Sequence, residues 1–251
     1  NHNLNASTST VTRDLHHQKF APRVRGSQPF NSAESQQRRY AFCCRRMWTA
    51  ANFERVVLSD EHYVTANDNT TRTQWVQRRE NIVPRERMSR FNIPSLQIWA
   101  AIGINFKSKL VIVEKTESDD GVVRRMNGAT YIRKCLTPHA KELAERNLLF
   151  MQDGARCHIA KNVMSYFDRK NIDVIENWPA HSPDLNPIEQ LWGYIDTLLS
   201  HNYPKPQSVE QLKAQVMDCW EKLPQWKLNN FVRDFGRKVK ECKRNGGRNV
   251  K

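Results

Sequence analysis

Two short apolar runs, each ending on an aspartate, constrain this chain more than any other feature. In Arg55–Asp60 (RVVLSD), Val56, Leu58 and Asp60 share one face if the run is a strand. Leu148–Gln152 (LLFMQ) repeats the arrangement and runs into Asp153. An acid at the end of a buried strand needs a reason, because an unpartnered carboxylate is costly to bury.

The rest of the chain builds a scaffold around these runs. Leu96–Ile104 and Leu110–Val113, joined by NFKSK, predict a hairpin. After a turn at Asn127-Gly128, helices are expected over 131–146 and 158–170, with a short strand over 173–175. A loop with three prolines (WPAHSPDLNP, 178–187) follows. Ile188, Leu191, Trp192, Ile195, Leu198 and Leu199 then recur at helical spacing, ahead of a helix capped by Ser208 with Gln211. A last amphipathic stretch carries Leu228, Phe231, Val232, Phe235 and Val239. Strands, then alternating strand and helix, then helices predict a mixed α/β domain with a central sheet.

Upstream, residues 7–20 read as a short helix and Ala21–Phe30 (APRVRGSQPF) as an extended basic linker. Asn31 with Glu34 forms a capping-box pattern, and Tyr40, Cys43, Cys44 and Met47 form an apolar stripe on the helix behind it. Residues 66–95 are polar and arginine-rich around Trp75, as in an inserted loop beside the sheet. The chain opens at Asn1 rather than Met, so we expect a piece of a longer protein. Six cysteines without a C-x-x-C pair indicate neither a zinc site nor a disulfide framework, and a reducing intracellular compartment fits. No long apolar run or charged leader supports a membrane span or a secretory signal.

Charge is distributed unevenly. Of the net +14, residues 1–50 carry eight Lys/Arg against Asp14 and Glu34, and residues 227–251 carry nine against Asp234 and Glu241. A nearly neutral body with two basic ends is the form expected of a catalytic unit held on nucleic acid by its flanks.

Asp60, Asp153 and Glu189, the last opening an amphipathic helix, could together hold two hard cations and so serve phosphodiester chemistry. Each also has a structural reading. Asp60 could simply end its strand, with Glu61 acting on the opposite face. Asp153 could be a turn residue before Gly154. Asn186-Pro187-Ile188-Glu189 fits the start of a capping box.

The stretches VVLSDE (56–61), FMQDGARCHIAK (150–161) and WPAHSPDLNPIEQLW (178–192) resemble the three acidic motifs of the Tc/mariner superfamily of DDE transposases. Their acids lie 93 and 36 positions apart, in the family's order. The chain departs from the family's usual pattern at Gly154 and Arg156, and neither change removes a ligand. The resemblance implies an RNase H-like fold of the retroviral integrase type, a mixed central sheet flanked by helices. It divides the chain into a helix-turn-helix remnant (1–20), a basic linker and helix (21–50), a catalytic domain (51–245) and a basic tail (246–251). It implies a metal-binding triad of Asp60, Asp153 and Glu189 with two Mg2+ ions, Mn2+ being a substitute, and no organic cofactor. Glu61, Asp184 and His158 lie in the same motifs without an implied ligand role. The implied activity is cut-and-paste transposition: hydrolysis at element ends, then strand transfer into TA sites of double-stranded DNA. The implied setting is a homodimer on DNA in the nucleus, with no membrane involved. Arg23, Arg25, Arg72, Arg78, Arg79, Lys238, Lys240 and Lys243 are the expected DNA contacts. The alternatives are a decayed or host-adopted copy that only binds DNA, and a nuclease of RNA in hybrids.

Overall fold

The computed structural model describes residues 31–66, 93–113, 116–117, 123–124 and 126–250. Its centre is β1 (Val56–Thr65), preceded by helices α1 (Ala33–Cys43) and α2 (Ala50–Arg55). Strand β2 (Ser95–Gly103) runs antiparallel to β1 along nine paired positions and carries β3 (Phe106–Lys107) and β4 (Val111–Val113) on its other edge. The hairpin predicted over 96–113 is therefore present. A small separate pair, β5 (Thr116–Glu117) with β6 (Val123–Arg124), follows.

The helix expected over 131–146 is broken. A single turn, α3 (Gly128–Tyr131), passes into a π-turn over Ile132–Leu136 and a 3-10 turn over Thr137–His139, before α4 (Ala140–Glu145) resumes. Pro138 explains the break: it has no N–H to donate, and its ring crowds the preceding turn. Strand β7 (Leu149–Met151) then pairs parallel to β1, and helix α5 (Lys161–Lys170) returns the chain to β8 (Asp173–Val174), parallel to β7. The long helices α6 (Pro187–Asn202), α7 (Val209–Lys222) and α8 (Gln225–Arg244) complete the domain. Ser208 caps α7 as expected, its hydroxyl accepting from the Gln211 N–H at 3.2 Å.

Helices cover both faces of the sheet, and strand alternation sorts the core into two layers. Val56, Leu58, Ile98, Ala100 and Met151 face α6, α7 and α8, while Val57, Trp99, Ala101 and Phe150 face the segment from α3 to α5. Sheets covered on both faces require near-continuous apolar strands, and β1 opens with Val56, Val57 and Leu58 all fully buried. Among the described residues no helix is long and apolar enough to cross a membrane.

Three sequence expectations shift. The N-cap of α1 is Ser32, not Asn31, its hydroxyl accepting from the Ser35 N–H at 3.2 Å. The inward face of α1 carries Arg39, Phe42 and Cys43, while Tyr40 is turned outward. The compact unit runs from Asn31 to Lys251, so α1 and the basic tail belong to the body rather than flanking it. The last two follow from one interaction. Arg39 is buried against Asp184 and the carbonyls of Gly247 and Arg248, which draws α1, the tail and the proline-rich loop together. The helix expected over 7–20, the linker over 21–30 and residues 67–92 of the arginine-rich insertion expected over 66–95 lie outside the described residues.

Candidate active site

Adjacent parallel strands deliver the two aspartates. The last paired couple of β1 and β7 is Leu58 with Met151, and Asp60 and Asp153 each stand two residues beyond it. Ser59 fastens this edge, its hydroxyl donating to the Met151 carbonyl at 2.7 Å. Helix α6 presents Glu189 in its first turn, after Asn186 as N-cap and Pro187 at N1. Its face of Ile188, Leu191, Trp192 and Ile195 packs on the sheet and so fixes where Glu189 points. The helix-start reading of Glu189 holds at the backbone, but its side chain turns to Asp60.

The Asp60 carboxyl is pushed up to about 9, first by burial and then by the charge of Glu189, with which it shares a hydrogen bond. Two carboxylates in contact cannot both ionise cheaply in a poorly hydrated place. The pair therefore holds a proton in the absence of a cation, and its hard oxygen donors suit a divalent ion.

Asp153 sits in a different environment. Its Oδ1 accepts from His158 Nδ1 at 2.6 Å and from the Ala155 N–H at 3.0 Å, and the hydrogen bond from His158 is the main cause of its lowered pKa. The other ring nitrogen, Nε2, lies 3.0 Å from Glu61 Oε1. With a carboxylate at each nitrogen, both must donate and the ring is an imidazolium. Burial alone would lower the His158 pKa, but the hydrogen bonds to Asp153, Cys157 and Glu61 outweigh it and raise the group to about 12. The imidazolium tilts against Tyr131, with ring centroids 4.3 Å apart. Gln152 locks the assembly, accepting from the Tyr131 hydroxyl and donating to the His158 carbonyl, each at 3.0 Å.

The expected triad is thus partly gathered. Asp60 and Glu189 touch, while Asp153 shares their sheet edge with its carboxylate turned to His158. Among the described residues no three His, Cys, Asp or Glu side chains are close enough to hold a metal ion together. Sequence reasoning placed Glu61 on the face opposite Asp60 but missed its link through His158. It also missed His62, which stacks on Trp192 and meets Asp196 at 3.0 Å. The available signal was spacing: His62 lies two positions after Asp60 on a strand, and Asp196 seven after Glu189 on a helix.

The expected DNA contacts divide in three. Arg23, Arg25, Arg72, Arg78 and Arg79 lie outside the described residues, and Lys240 and Lys243 are exposed. Lys238 is a correction: it is 2% exposed and donates to the Asp184 carbonyl at 2.6 Å, so it faces the core rather than solvent. Its position on α8 beside Phe235 and Val239, both buried, explains this.

A mixed sheet with aspartates at the ends of two parallel neighbours, and a glutamate opening a helix over them, is an RNase H-like arrangement. The family model for the DDE superfamily endonuclease matches residues 55–213, and the chain belongs to that family. Its relatives place it among the Tc/mariner members, as the acidic motifs implied. It is 27% identical to the Tc3 transposase of Caenorhabditis elegans over 223 residues, 87% of this chain and 64% of that protein. It is 26% identical to the Tcb2 transposase of Caenorhabditis briggsae over 119 residues, 47% of this chain and 42% of that one. The chain thus spans less than two-thirds of the length of these relatives. A Mos1 transposase paired-end complex with the left transposon end shares the fold at a TM-score of 0.80 and 18% identity, covering 99% of this chain and 73% of that one. The Mos1 catalytic domain solved with raltegravir and Mg matches at 0.64 and 14%, covering 88% and 98%.

Proposed function

We propose that this chain is the catalytic domain of a cut-and-paste DNA transposase. It cleaves phosphodiester bonds at transposon ends, in double-stranded terminal repeats, and joins the freed ends to TA target sites. The observation that carries this reading is the meeting of Asp60 with Glu189 at the sheet edge that also bears Asp153. Solved relatives with the same fold contain DNA ends, Mg or Mn, which supports the choice of substrate and cofactor.

Asp60, Glu189 and Asp153 are the residues that would hold two Mg2+ ions, or Mn2+ in their place. Bound cations supply a lowered water pKa and charge neutralisation at the phosphate. Asp60 and Glu189 would supply the paired negative charge that such ions require. His158 keeps Asp153 ionised, and both hydrogen bonds that Asp153 accepts fall on Oδ1. Glu61 balances the second imidazolium N–H and so holds the ring in place. Exposed cations such as Lys240 and Lys243, with Arg23, Arg25, Arg72, Arg78 and Arg79, would grip phosphate backbone without reading sequence. The working assembly is a homodimer on DNA in the nucleus.

The test is Mg2+-dependent cleavage and strand transfer by a full-length protein containing this chain, supplied with its own element ends. Asp60→Asn, Asp153→Asn and Glu189→Gln should each lower both steps by orders of magnitude while DNA binding persists. An active Glu189→Gln enzyme would remove the third acid from the triad and leave Glu189 a helix cap.

A further inference from the structure

Arg39 has no exposed surface, and all three of its guanidinium nitrogens are used. Nη1 and Nη2 meet the two Asp184 carboxylate oxygens at 2.8 and 2.6 Å, and Nε donates to the Gly247 carbonyl at 2.8 Å. Asp184 Oδ2 also accepts the Val250 N–H at 2.8 Å, and the Asp184 carbonyl takes the Lys238 ammonium. Asp184 lies in the 3-10 turn two residues before Asn186, the cap of α6. Asn186 in turn reaches β1, its Nδ2 donating to the Ser59 carbonyl at 3.4 Å, on the peptide that leads into Asp60. Hydrogen bonds from α1 and the tail to Asp184, two residues of backbone, and the bond from Asn186 to Ser59 therefore join the clasp to the two backbones that carry Asp60 and Glu189.

We propose that Arg39 and Asp184 are positioning residues for cation binding, because they fix the loop that aims Glu189 at Asp60. The inference rests on the metal reading above and adds residues that touch neither cation nor DNA. A bidentate fork has one low-energy geometry, so it sets the orientation of the loop and not merely its proximity. Partners that orient a metal ligand typically change metal affinity about 10- to 100-fold when removed. A purely stabilising ion pair makes a different forecast. A buried pair replaced by apolar groups of similar size is often neutral for stability, and affinity would then follow stability.

The experiment is Mn2+ titration calorimetry on the whole chain, at a temperature where every variant is folded by circular dichroism. Wild type and Asp60→Asn establish the site. Arg39→Lys keeps the buried charge but not the fork, and Arg39→Met combined with Asp184→Leu removes both charges. Positioning predicts Mn2+ affinity about tenfold weaker or more in both variants, even where the double variant melts like wild type. Folded Arg39→Lys or double variants that bind Mn2+ as tightly as wild type would overturn the inference and leave the metal reading intact. A wild-type chain without Mn2+ binding that Asp60→Asn removes would overturn the metal reading itself.

Discussion

At the scale of single residues, the Asp60–Glu189 pair by itself works against the fold. The Asp60 carboxyl, ordinarily near 3.8, is raised to about 9 by burial and by Glu189. A carboxyl raised on folding binds its proton more tightly in the native state. Its contribution to stability is therefore complete below pH 3.8 and is lost as pH climbs toward 9. In metal-free protein Asp60→Asn should then be more stable than wild type at pH 8, on the order of 2 kcal/mol or about 4–8 °C, with little gain at pH 4. Calorimetric melts in EDTA across that range check this, and a difference that does not grow with pH would refute the strained pair. The pair was legible in the sequence only through the resemblance of its acidic motifs, because strand alternation and helix capping by themselves left each acid a structural reading. Arg39 was not: in a helix as polar as AESQQRRYAFC it reads as a surface residue, and the partner that buries it lies 145 positions away. His158 failed for a similar reason, since its role depends on Glu61, 97 positions earlier on another element.

At the scale of elements, periodicity found β1, β2, α6, α7 and α8, whose apolar residues repeat over several turns or pairs. It missed the break at Pro138, where an apolar pattern runs on although the backbone cannot follow it. The end of α8 shows how a helix stop is built. Gly247 has φ +85 and donates its N–H to the Cys242 carbonyl at 2.8 Å, while a Cβ at this position would collide with the Gln36 carbonyl oxygen. Both the left-handed backbone and the close approach to α1 demand glycine here. Gly247→Ala should cost at least about 2 kcal/mol, the strain of the conformation plus displacement of the tail, and lower Tm by about 4–8 °C. Gly246→Ala has a similar φ, +70, but open space around it, and should cost less. Equal melting of the two variants would show that the approach to Gln36 is not tight.

At the scale of the whole molecule, the basic C-terminal segment is less free than its formal charge suggests. Arg237 is paired with Asp234 and Glu241, and Lys238 is turned inward. Lys240 and Lys243 remain exposed on α8. Reversing both to glutamate should weaken DNA binding and flatten the log–log salt slope by about 0.9 for each phosphate no longer neutralised. Lys238→Met should leave the slope unchanged and lower Tm, and fluorescence titrations at several salt concentrations separate the two. The clasp at Asp184 also has a consequence in time. Arg39 must wait for Gly247, made 208 residues later, before its fork is complete, and pairings so distant in sequence form late. During synthesis every carboxylate of the site is thus present before the loop that aims Glu189 is fastened. A chain cut after Asn245 should keep its sheet protected from hydrogen exchange while 183–189 exchanges more freely than in the whole chain. Restoring Gly247 to Val250 should close that segment, so that the loop carrying Glu189 is latched only by the last residues of the fold.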